Sequence, residues 1–301
     1  MAAITSEQVM ILRTQTGAGI MDCKGALNES GGDIAKAVEL LRKKGLAGLA
    51  KRAGRAMKEG VVVAKTSADA KACSLLELNC ETDFVAKNPD VIAFAAALAA
   101  EMLADAALAN PAESEAAKAR LQAVAMKMGE NMQIRRGVVY KTEANTAANY
   151  YVHNDNRKGA IVEVSFDGNM AAAKAELETL AKELAMQSVA MSPKYLKRED
   201  VPADLVASER EIYKAKMEKD EETAKAIAAE GSKPFKAKTP ETIVKMLDGR
   251  VNKFFQENCL LEQAFIRDSK LSVTQVVKNL GTKLGGNVAV TRFNCYLVGI
   301  E

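Results

Sequence analysis

Two segments of the sequence, Leu75-Leu76-Glu77-Leu78-Asn79 and Ile161-Val162-Glu163-Val164-Ser165, share one order of residue types: two apolar, a glutamate, one apolar, one polar. Each follows a strand pattern and a polar turn, and each precedes a long alanine-rich helical pattern. Far downstream, residues 288–293 correspond in the same way to residues 132–136. A repeat of this kind predicts two related halves. We therefore assign the chain to the α+β fold class, with a duplicated core in which helices cover a small antiparallel sheet in each half.

The repeat and the shifts in composition divide the 301 residues into four expected units. Residues 1–58 are expected to form an N-terminal helical docking module, a small UBA-like three-helix bundle followed by a basic linker helix. Residues 59–145 form core subdomain N, residues 146–192 and 258–301 form core subdomain C, and residues 193–257 form an inserted helical hairpin. Aromatic residues make up only 5% of the chain, so its cores must be built from Ala, Leu, Val and Met.

Glycine turns separate the three helices that we expect in the first unit. Thr5 begins a capping box at the start of the first helix, and Gly17-Ala18-Gly19 ends that helix. We expect Asp22 to cap the second helix and Asp33 to cap the third. The third helix is expected to end before Gly45.

Residues 42–58 carry seven basic residues and no acidic residue. A basic helix can bind RNA phosphates, so one alternative function is that of an RNA- or ribosome-binding helical protein. The same segment can equally be a solvated linker helix or a surface for an acidic protein partner. Because no aromatic residue interleaves the charges and the net charge is only +3, nucleic acid is not favoured as the main partner.

The inserted unit is highly charged and has few apolar residues. Residues 208–230 have a helical composition, Gly231-Ser232-Lys233-Pro234 is expected to form a turn, and Thr239-Pro240-Glu241 starts a return helix. This pattern predicts a protruding antiparallel helical hairpin. The hairpin is either a solvated spacer or an arm for dimerisation or docking.

The two halves differ at the connection between strand and helix. The first half has residues 80–88 where the second has only Asp167-Gly168-Asn169, an ordinary turn. The longer connection carries Asp83 beside Phe84, and Asn88-Pro89 then offers an N-cap and a first-turn proline. An isolated aromatic residue usually packs in a core. The second half indicates, however, that a shorter connection closes the fold, so this polar tip is a candidate for function, with Phe84 held out for a partner.

Patterns that would indicate catalysis or cofactor binding are missing from the sequence. His153 is the single histidine, and a lone histidine in a strand is more often a hydrogen-bonded surface residue than a base. The five cysteines form no Cys-x-x-Cys pair, which favours a reducing compartment. There is no phosphate-binding glycine loop, no metal-ligand spacing and no apolar run long enough to cross a membrane. We expect a cytoplasmic protein that is not an enzyme, has no catalytic residue, metal site or cofactor, and binds no nucleotide, nucleic acid or membrane directly.

Residues 12–24, 32–34 and 79–87 resemble the signature segments of the bacterial translation elongation factor Ts family, and residues 82–87 are the most specific part of this match. The resemblance implies a guanine-nucleotide exchange factor that binds elongation factor Tu-GDP and promotes GDP release, so that GTP can bind during translation elongation. In this family an Asp-Phe tip intrudes between helices of the GTPase domain and disturbs the magnesium ion and the phosphate-binding loop. Asp83 and Phe84 match that tip, with Thr82 and Val85 beside them.

The resemblance also implies partner-binding positions outside the tip. Those on the N-terminal bundle, expected to contact the GTPase domain, are Arg13, Ile20, Met21 and Lys24. Those in the core are Met128, Gly129 and His153, with His153 facing a further domain of elongation factor Tu. A homodimer or a two-to-two complex through the helical hairpin is an alternative to a one-to-one complex.

Overall fold

Three helices form the N-terminal unit: α1 (Ser6–Thr16), α2 (Ile20–Glu29) and α3 (Ile34–Arg52). The computed structural model describes residues 4–52, 54–229 and 238–300. The predicted capping box is present, because the Thr5 side chain accepts a hydrogen bond from Gln8 N and the Gln8 side chain accepts one from Thr5 N. A small apolar core holds the bundle together, and it is centred on Leu12, Cys23, Ala26, Leu27 and Ala37.

The first half of the core contains three strands and three α-helices. In chain order they are β1 (Glu59–Thr66), β2 (Ala72–Cys80), α4 (Asp83–Ala86), α5 (Pro89–Ala104), α6 (Glu115–Met128) and β3 (Met132–Lys141). The strands form an antiparallel sheet in the order β1-β2-β3. Asn88 caps α5 and Pro89 occupies its first turn, as predicted. The apolar stripe of α5 packs on Leu76 and Leu78 of the central strand.

The second half repeats this arrangement and contains the insertion. Its elements are β4 (Thr146–Val152), β5 (Lys158–Phe166), α7 (Met170–Met191), α8 (Ala203–Ala229), α9 (Pro240–Asn258), β6 (Ala264–Phe265), β7 (Asp268–Ser272), α10 (Val273–Leu284) and β8 (Val288–Leu297). The sheet order β4-β5-β8 mirrors that of the first half. The short β6–β7 hairpin was not expected from the sequence. Among the described residues, no helix is both long and apolar enough to span a bilayer.

The strand registers confirm the internal repeat. Glu77 on β2 lies opposite Arg136 on β3, and Glu163 on β5 lies opposite Arg292 on β8. In both sheets a β-bulge follows the glutamate directly. The two sheets pack against each other through a shared apolar layer that includes Ile161. The predicted α+β class with a duplicated antiparallel core is therefore confirmed.

The insertion is a helical hairpin, as predicted. The helix α8 begins at Ala203, earlier than residue 208, and α9 begins behind the predicted N-cap Thr239 with Pro240 in its first turn. An ion pair of 2.8 Å between Arg210 Nη1 and Asp248 Oδ1 joins the two helices. The predicted turn at residues 231–234 lies outside the described residues.

Two predicted helix boundaries in the N-terminal bundle are wrong. Gly19 and not Asp22 is the N-cap of α2, because the chain leaves the left-handed Gly17 (φ 68°) already positioned to begin a helix at Ile20. Asp22 lies in the first turn, where its negative charge interacts favourably with the helix dipole.

The second error concerns α3, which continues through Gly45 to Arg52. A glycine inside a helix costs only about 1 kcal/mol relative to alanine, so neighbouring contacts can override it. A Cβ atom at Gly45 would lie 2.7 Å from Met126 Sδ on α6. The glycine therefore allows α3 to pack closely on α6. Asp33 caps α3 as predicted, since its Oδ1 accepts from Lys36 N at 3.0 Å.

Candidate partner-binding site

The connection between β2 and α5 contains a helical turn of its own. We predicted only a polar turn here, but Asp83–Ala86 form α4, with Thr82 as its N-cap. Thr82 Oγ1 accepts a hydrogen bond from Val85 N at 3.4 Å. The turn gives residues 82–86, which we call the tip, a defined backbone conformation.

The side chains of the tip point in opposite directions. Val85 and Ala86 are buried in the core of the first half, where they pack with Leu78. Phe84 is 82% exposed, the largest fraction among the exposed large apolar residues of the described chain. Because burial of apolar surface is favourable, a protein rarely leaves a whole aromatic ring in water without a partner. The tip is thus anchored by its neighbours while Phe84 is held outward.

Asp83 is a charged group beside this ring. Lys87 Nζ lies 2.7 Å from Asp83 Oδ2, one helical turn away. The hydrogen bond from Lys87 is the main cause that lowers the pKa of Asp83 below its ordinary value of 3.8. Asp83 is therefore ionised at neutral pH, and the tip presents an anion and an aromatic ring together.

The base of the tip is held by two carboxylates: Glu81, which belongs to the candidate connection of residues 80–88, and Glu130, which the sequence did not indicate. Glu130 accepts hydrogen bonds from Thr82, although 48 residues separate the two. The backbone N–H of Asn131 donates to Glu81, and this bond is the main cause that lowers the pKa of the Glu81 carboxyl group. No local pattern indicates such a contact, because it depends on how β2 and β3 pair.

The N-terminal positions lie on the bundle surface. Met21 is 76% exposed and Ile20 is half-exposed at the start of α2, while Arg13 and Lys24 are exposed on α1 and α2. The bundle contacts the core near the tip, because a Cβ atom at Gly17 would lie 2.8 Å from Lys127 Cγ. The structure therefore places the bundle beside the C-terminal end of α6.

Two further predicted positions follow at the end of α6. Met128 is partly buried against the first-half core, and Gly129 is the left-handed C-cap of α6 with φ 73°. The chain then passes directly to Glu130 at the base of the tip. Contacts among described residues thus connect the N-terminal positions, the end of α6 and the tip.

His153 lies elsewhere, in the turn between β4 and β5. Its side chain is exposed, its Nδ1 atom is 3.1 Å from Asp155 Oδ1, and its ring meets the Tyr151 ring edge-on. The turn contacts β1, since Val62 N donates to Asn156 O at 2.6 Å. His153 thus lies in a turn of the second half that contacts the first, and its side-chain contacts with Asp155 and Tyr151 do not involve the tip.

Possible metal ligands and cysteine thiols are the other groups considered among the described residues. Within residues 4–52, 54–229 and 238–300, no group of three or more His, Cys, Asp and Glu side chains could hold a metal ion. The five cysteines are free. Burial raises the pKa of the Cys73 thiol, and it raises the pKa to about 12 for Cys80 and Cys295 and to about 11 for Cys259, so these four groups are poor nucleophiles.

Comparison with known proteins identifies the family. The family model described as Elongation factor TS matches residues 81–300. A protein of Symbiobacterium thermophilum named Elongation factor Ts is 43% identical over 304 residues, which cover 99% of this chain and 93% of the relative. Proteins of the same name from Clostridium botulinum (strain Alaska E43 / Type E3) and Chlorobium phaeobacteroides are 41% and 39% identical, covering 96% and 99% of this chain and 91% and 100% of their own.

These alignments include the N-terminal bundle, whereas the family model begins at residue 81 and covers the tip, the hairpin and the core without β1 and β2. The match spans more than half of the chain, and the relatives are aligned over nearly their whole length. The chain therefore belongs to the elongation factor Ts family.

Proposed function

We propose that this chain performs the exchange reaction of its family through the exposed Asp83-Phe84 tip. As an elongation factor Ts, the chain is a guanine-nucleotide exchange factor that acts on elongation factor Tu in translation elongation. In the proposal, the tip enters the GTPase domain, and the ring of Phe84 displaces the elements that support the magnesium ion and the phosphates of GDP. The observation that carries this proposal is the exposure of Phe84 on an anchored helical turn.

Exchange by this route requires no bond-making by the chain. If a protein binds the nucleotide-free GTPase more tightly than the GDP form, it weakens GDP binding by the same factor. The magnesium and phosphate contacts supply much of the affinity for a nucleotide, so a small shift of their supports is sufficient. We therefore assign no catalytic residue, enzymatic activity or cofactor to the chain.

The tip supplies two complementary groups to this contact. An aromatic side chain that fills a pocket of a partner can contribute about 2 kcal/mol or more to an interface. The neighbouring Asp83 adds a negative charge, which disfavours the phosphates and competes for the cations around them. The buried Val85 and Ala86 keep the tip in place when Phe84 enters the partner, because moving them would expose apolar surface to water.

The other predicted contact positions serve to dock the partner in this proposal. Ile20 and Met21 form an exposed apolar pair on α2, and the exposed cations Arg13 and Lys24 lie on α1 and α2 of the same bundle. They bind the GTPase domain in either nucleotide state and bring the tip to its target. Met128-Gly129 lines the same side, and His153 contacts a further domain of elongation factor Tu.

The test is the release of fluorescent GDP from elongation factor Tu, chased with unlabelled GDP and followed by stopped flow. The wild-type chain is expected to accelerate release, and Phe84→Ala is expected to lower the maximum rate by about thirtyfold, which corresponds to about 2 kcal/mol. Ile266→Ala is the matched control, because Ile266 is also exposed (47%) but lies in the turn between β6 and β7, outside every surface proposed to bind a partner. The proposal fails if Phe84→Ala and Ile266→Ala release GDP at the same rate.

The alternative of RNA binding through residues 42–58 has less support. Lys43 pairs with Glu39 at 3.1 Å, Lys44 with Glu29 at 3.2 Å, and Arg55 with Glu81, at the base of the tip, at 3.1 Å. These carboxylates reduce the positive field that phosphates would meet. We therefore propose that the chain binds no nucleic acid, nucleotide or membrane directly and works in the cytoplasm, where translation takes place.

We further propose that the hairpin α8–α9 is the arm through which two copies associate, as a homodimer or within a two-to-two complex. Ile212 on α8 and Val244 on α9 are each at least half exposed. Light scattering of the chain alone and mixed with elongation factor Tu measures the stoichiometry. A one-to-one complex at all concentrations would contradict this assignment and leave the function of the tip unaffected.

A further inference from the structure

We propose that Glu130 is a positioning residue for nucleotide exchange, because its carboxylate fixes the base of the tip and presents Phe84 to the partner in an ordered conformation. This inference rests on the proposed function of the tip. It adds a residue that contacts neither the nucleotide nor its magnesium ion.

The β2–β3 ladder ends at the base of the tip. Cys80 and Met132 are the last paired residues, and the two chains then separate toward α4 and α6. Beyond that point, backbone N–H groups donate to side-chain carboxylates and not to the backbone carbonyl groups of a neighbouring strand. Glu130 Oε2 accepts from Thr82 N at 3.0 Å and from Glu81 N at 3.2 Å. In the other direction, Glu81 Oε1 accepts from Asn131 N at 2.7 Å.

These reciprocal bonds between backbone and side chain join the two chain segments for two residues beyond the last backbone pair of β2 and β3. Hydrogen bonds from backbone N–H groups to an ionised carboxylate are stronger than those to a neutral acceptor. The base of the tip is therefore a stiff continuation of the sheet. Glu81 is also bound by Arg55, which joins the linker after α3 to the same point.

A third bond connects Glu130 to the helical turn itself. Thr82 Oγ1 lies 2.6 Å from Glu130 Oε1 and donates its hydrogen to it. The hydroxyl oxygen then accepts from Val85 N and caps α4. Glu130 thus orients the hydroxyl group whose capping bond orders the turn that carries Phe84.

Order at this position matters because Phe84 gains little from its own domain. A segment that must become ordered on binding loses part of the interaction free energy to conformational entropy. A tip already fixed at its base avoids that loss. Glu130 should therefore affect the rate of GDP release at saturation more than the docking of elongation factor Tu.

The first test measures GDP release over a range of factor concentrations with Glu130→Ala, Glu130→Gln and the control Glu115→Ala. Glu115 is an exposed residue at the start of α6, the helix that precedes Glu130, and it pairs with Lys118. We expect Glu130→Ala to lower the maximum rate about tenfold and to change the half-saturating concentration less than about threefold. Glu130→Gln should be intermediate, because its amide oxygen still accepts from the backbone whereas its NH₂ group cannot accept from Thr82. Glu115→Ala should equal the wild type.

The second test measures amide hydrogen exchange in the variants without elongation factor Tu, so its result does not depend on nucleotide exchange. In Glu130→Ala, the amide hydrogens of residues 83–87 should exchange faster than in the wild type, and those of residues 74–78 in β2 should exchange at the wild-type rate. Equal acceleration in both segments would assign Glu130 a general structural role and overturn the inference. An unchanged hydrogen-exchange rate at residues 83–87 would overturn it as well. Normal GDP release by Glu130→Ala alongside slow release by Phe84→Ala would also overturn it. Normal release by Phe84→Ala would instead refute the proposed function, and hydrogen exchange would still decide whether Glu130 orders the tip.

Discussion

The guanidinium carbon of Arg292 lies 4.1 Å from the centre of the Tyr140 ring, so a residue of the second half stacks on a residue of the first. Arg136 makes the reciprocal contact with the ring of Tyr296, at 4.4 Å. Each tyrosine follows the arginine of its own strand by four residues. The duplicated strands therefore interlock by a pair of equivalent cation–π contacts, which stiffens the scaffold that carries the tip.

Loss of one such arginine should destabilise the chain measurably. Arg292 Nη2 bonds Glu163 Oε2 at 2.8 Å, and Glu163 is only 5% exposed. In Arg292→Met the packing is largely kept but the carboxylate is left buried without its cation, so we expect a loss of about 2–3 kcal/mol in unfolding free energy. Urea unfolding followed by circular dichroism measures it. Adding Glu163→Gln should restore part of the loss, and a single variant within about 0.5 kcal/mol of the wild type would contradict the role of the pair.

The pKa of Asp83 provides a direct test of tip geometry in solution. The hydrogen bond from Lys87 lowers this pKa below 3.8. A carboxyl group with a lowered pKa stabilises the folded tip above its ordinary pKa, and this contribution disappears as the pH falls through the lowered value. We expect the carboxyl carbon of Asp83, followed by NMR, to titrate below 3.8 in the wild type. In Lys87→Met the midpoint should rise toward 3.8, and a midpoint unaffected by this substitution would show that the ion pair does not form.

The thiol of Cys80 reports whether the tip opens. Burial and then the nearby Glu130 carboxylate raise its pKa to about 12, and its Sγ atom donates to Thr82 O at 3.2 Å. Because the thiolate is the reactive species, iodoacetamide at pH 8 should leave Cys80 unmodified in the native chain, as read by mass spectrometry. Denaturant should expose all five cysteines to labelling. Rapid native labelling of Cys80 would mean that the tip unfolds frequently.

Backbone positions that depend on local chemistry were predictable from the sequence. Gly17 ends α1 in a left-handed conformation, and Thr239 caps α9, because each residue satisfies a requirement of its own helix end. The repeat was visible because strand pairing imposes the same order of apolar, charged and polar residues on both central strands. Glu77 and Glu163 occupy the same position in the two matching segments, and this match made the repeat recognisable.

Features that depend on neighbours distant in sequence were not predictable. Gly45 resembles a helix end, yet the approach of Met126 keeps it inside α3. The tip was recognisable as an insertion, but its helical turn begins behind Thr82, whose hydroxyl group donates to Glu130, a residue distant in sequence. Whether Phe84 points outward likewise depends on the neighbouring Val85 filling the core in its place.

The most direct test of the account compares the affinities of elongation factor Tu for this chain in its nucleotide-free and GDP-bound forms. By linkage, the dissociation constant for the GDP-bound form divided by that for the nucleotide-free form equals the factor by which the chain weakens the binding of GDP to elongation factor Tu. We predict that Phe84→Ala lowers this ratio at least tenfold, by weakening the nucleotide-free complex more than the GDP complex, as measured by titration calorimetry. An unchanged ratio, with both complexes weakened equally, would show that Phe84 only docks the partner and would contradict the central claim.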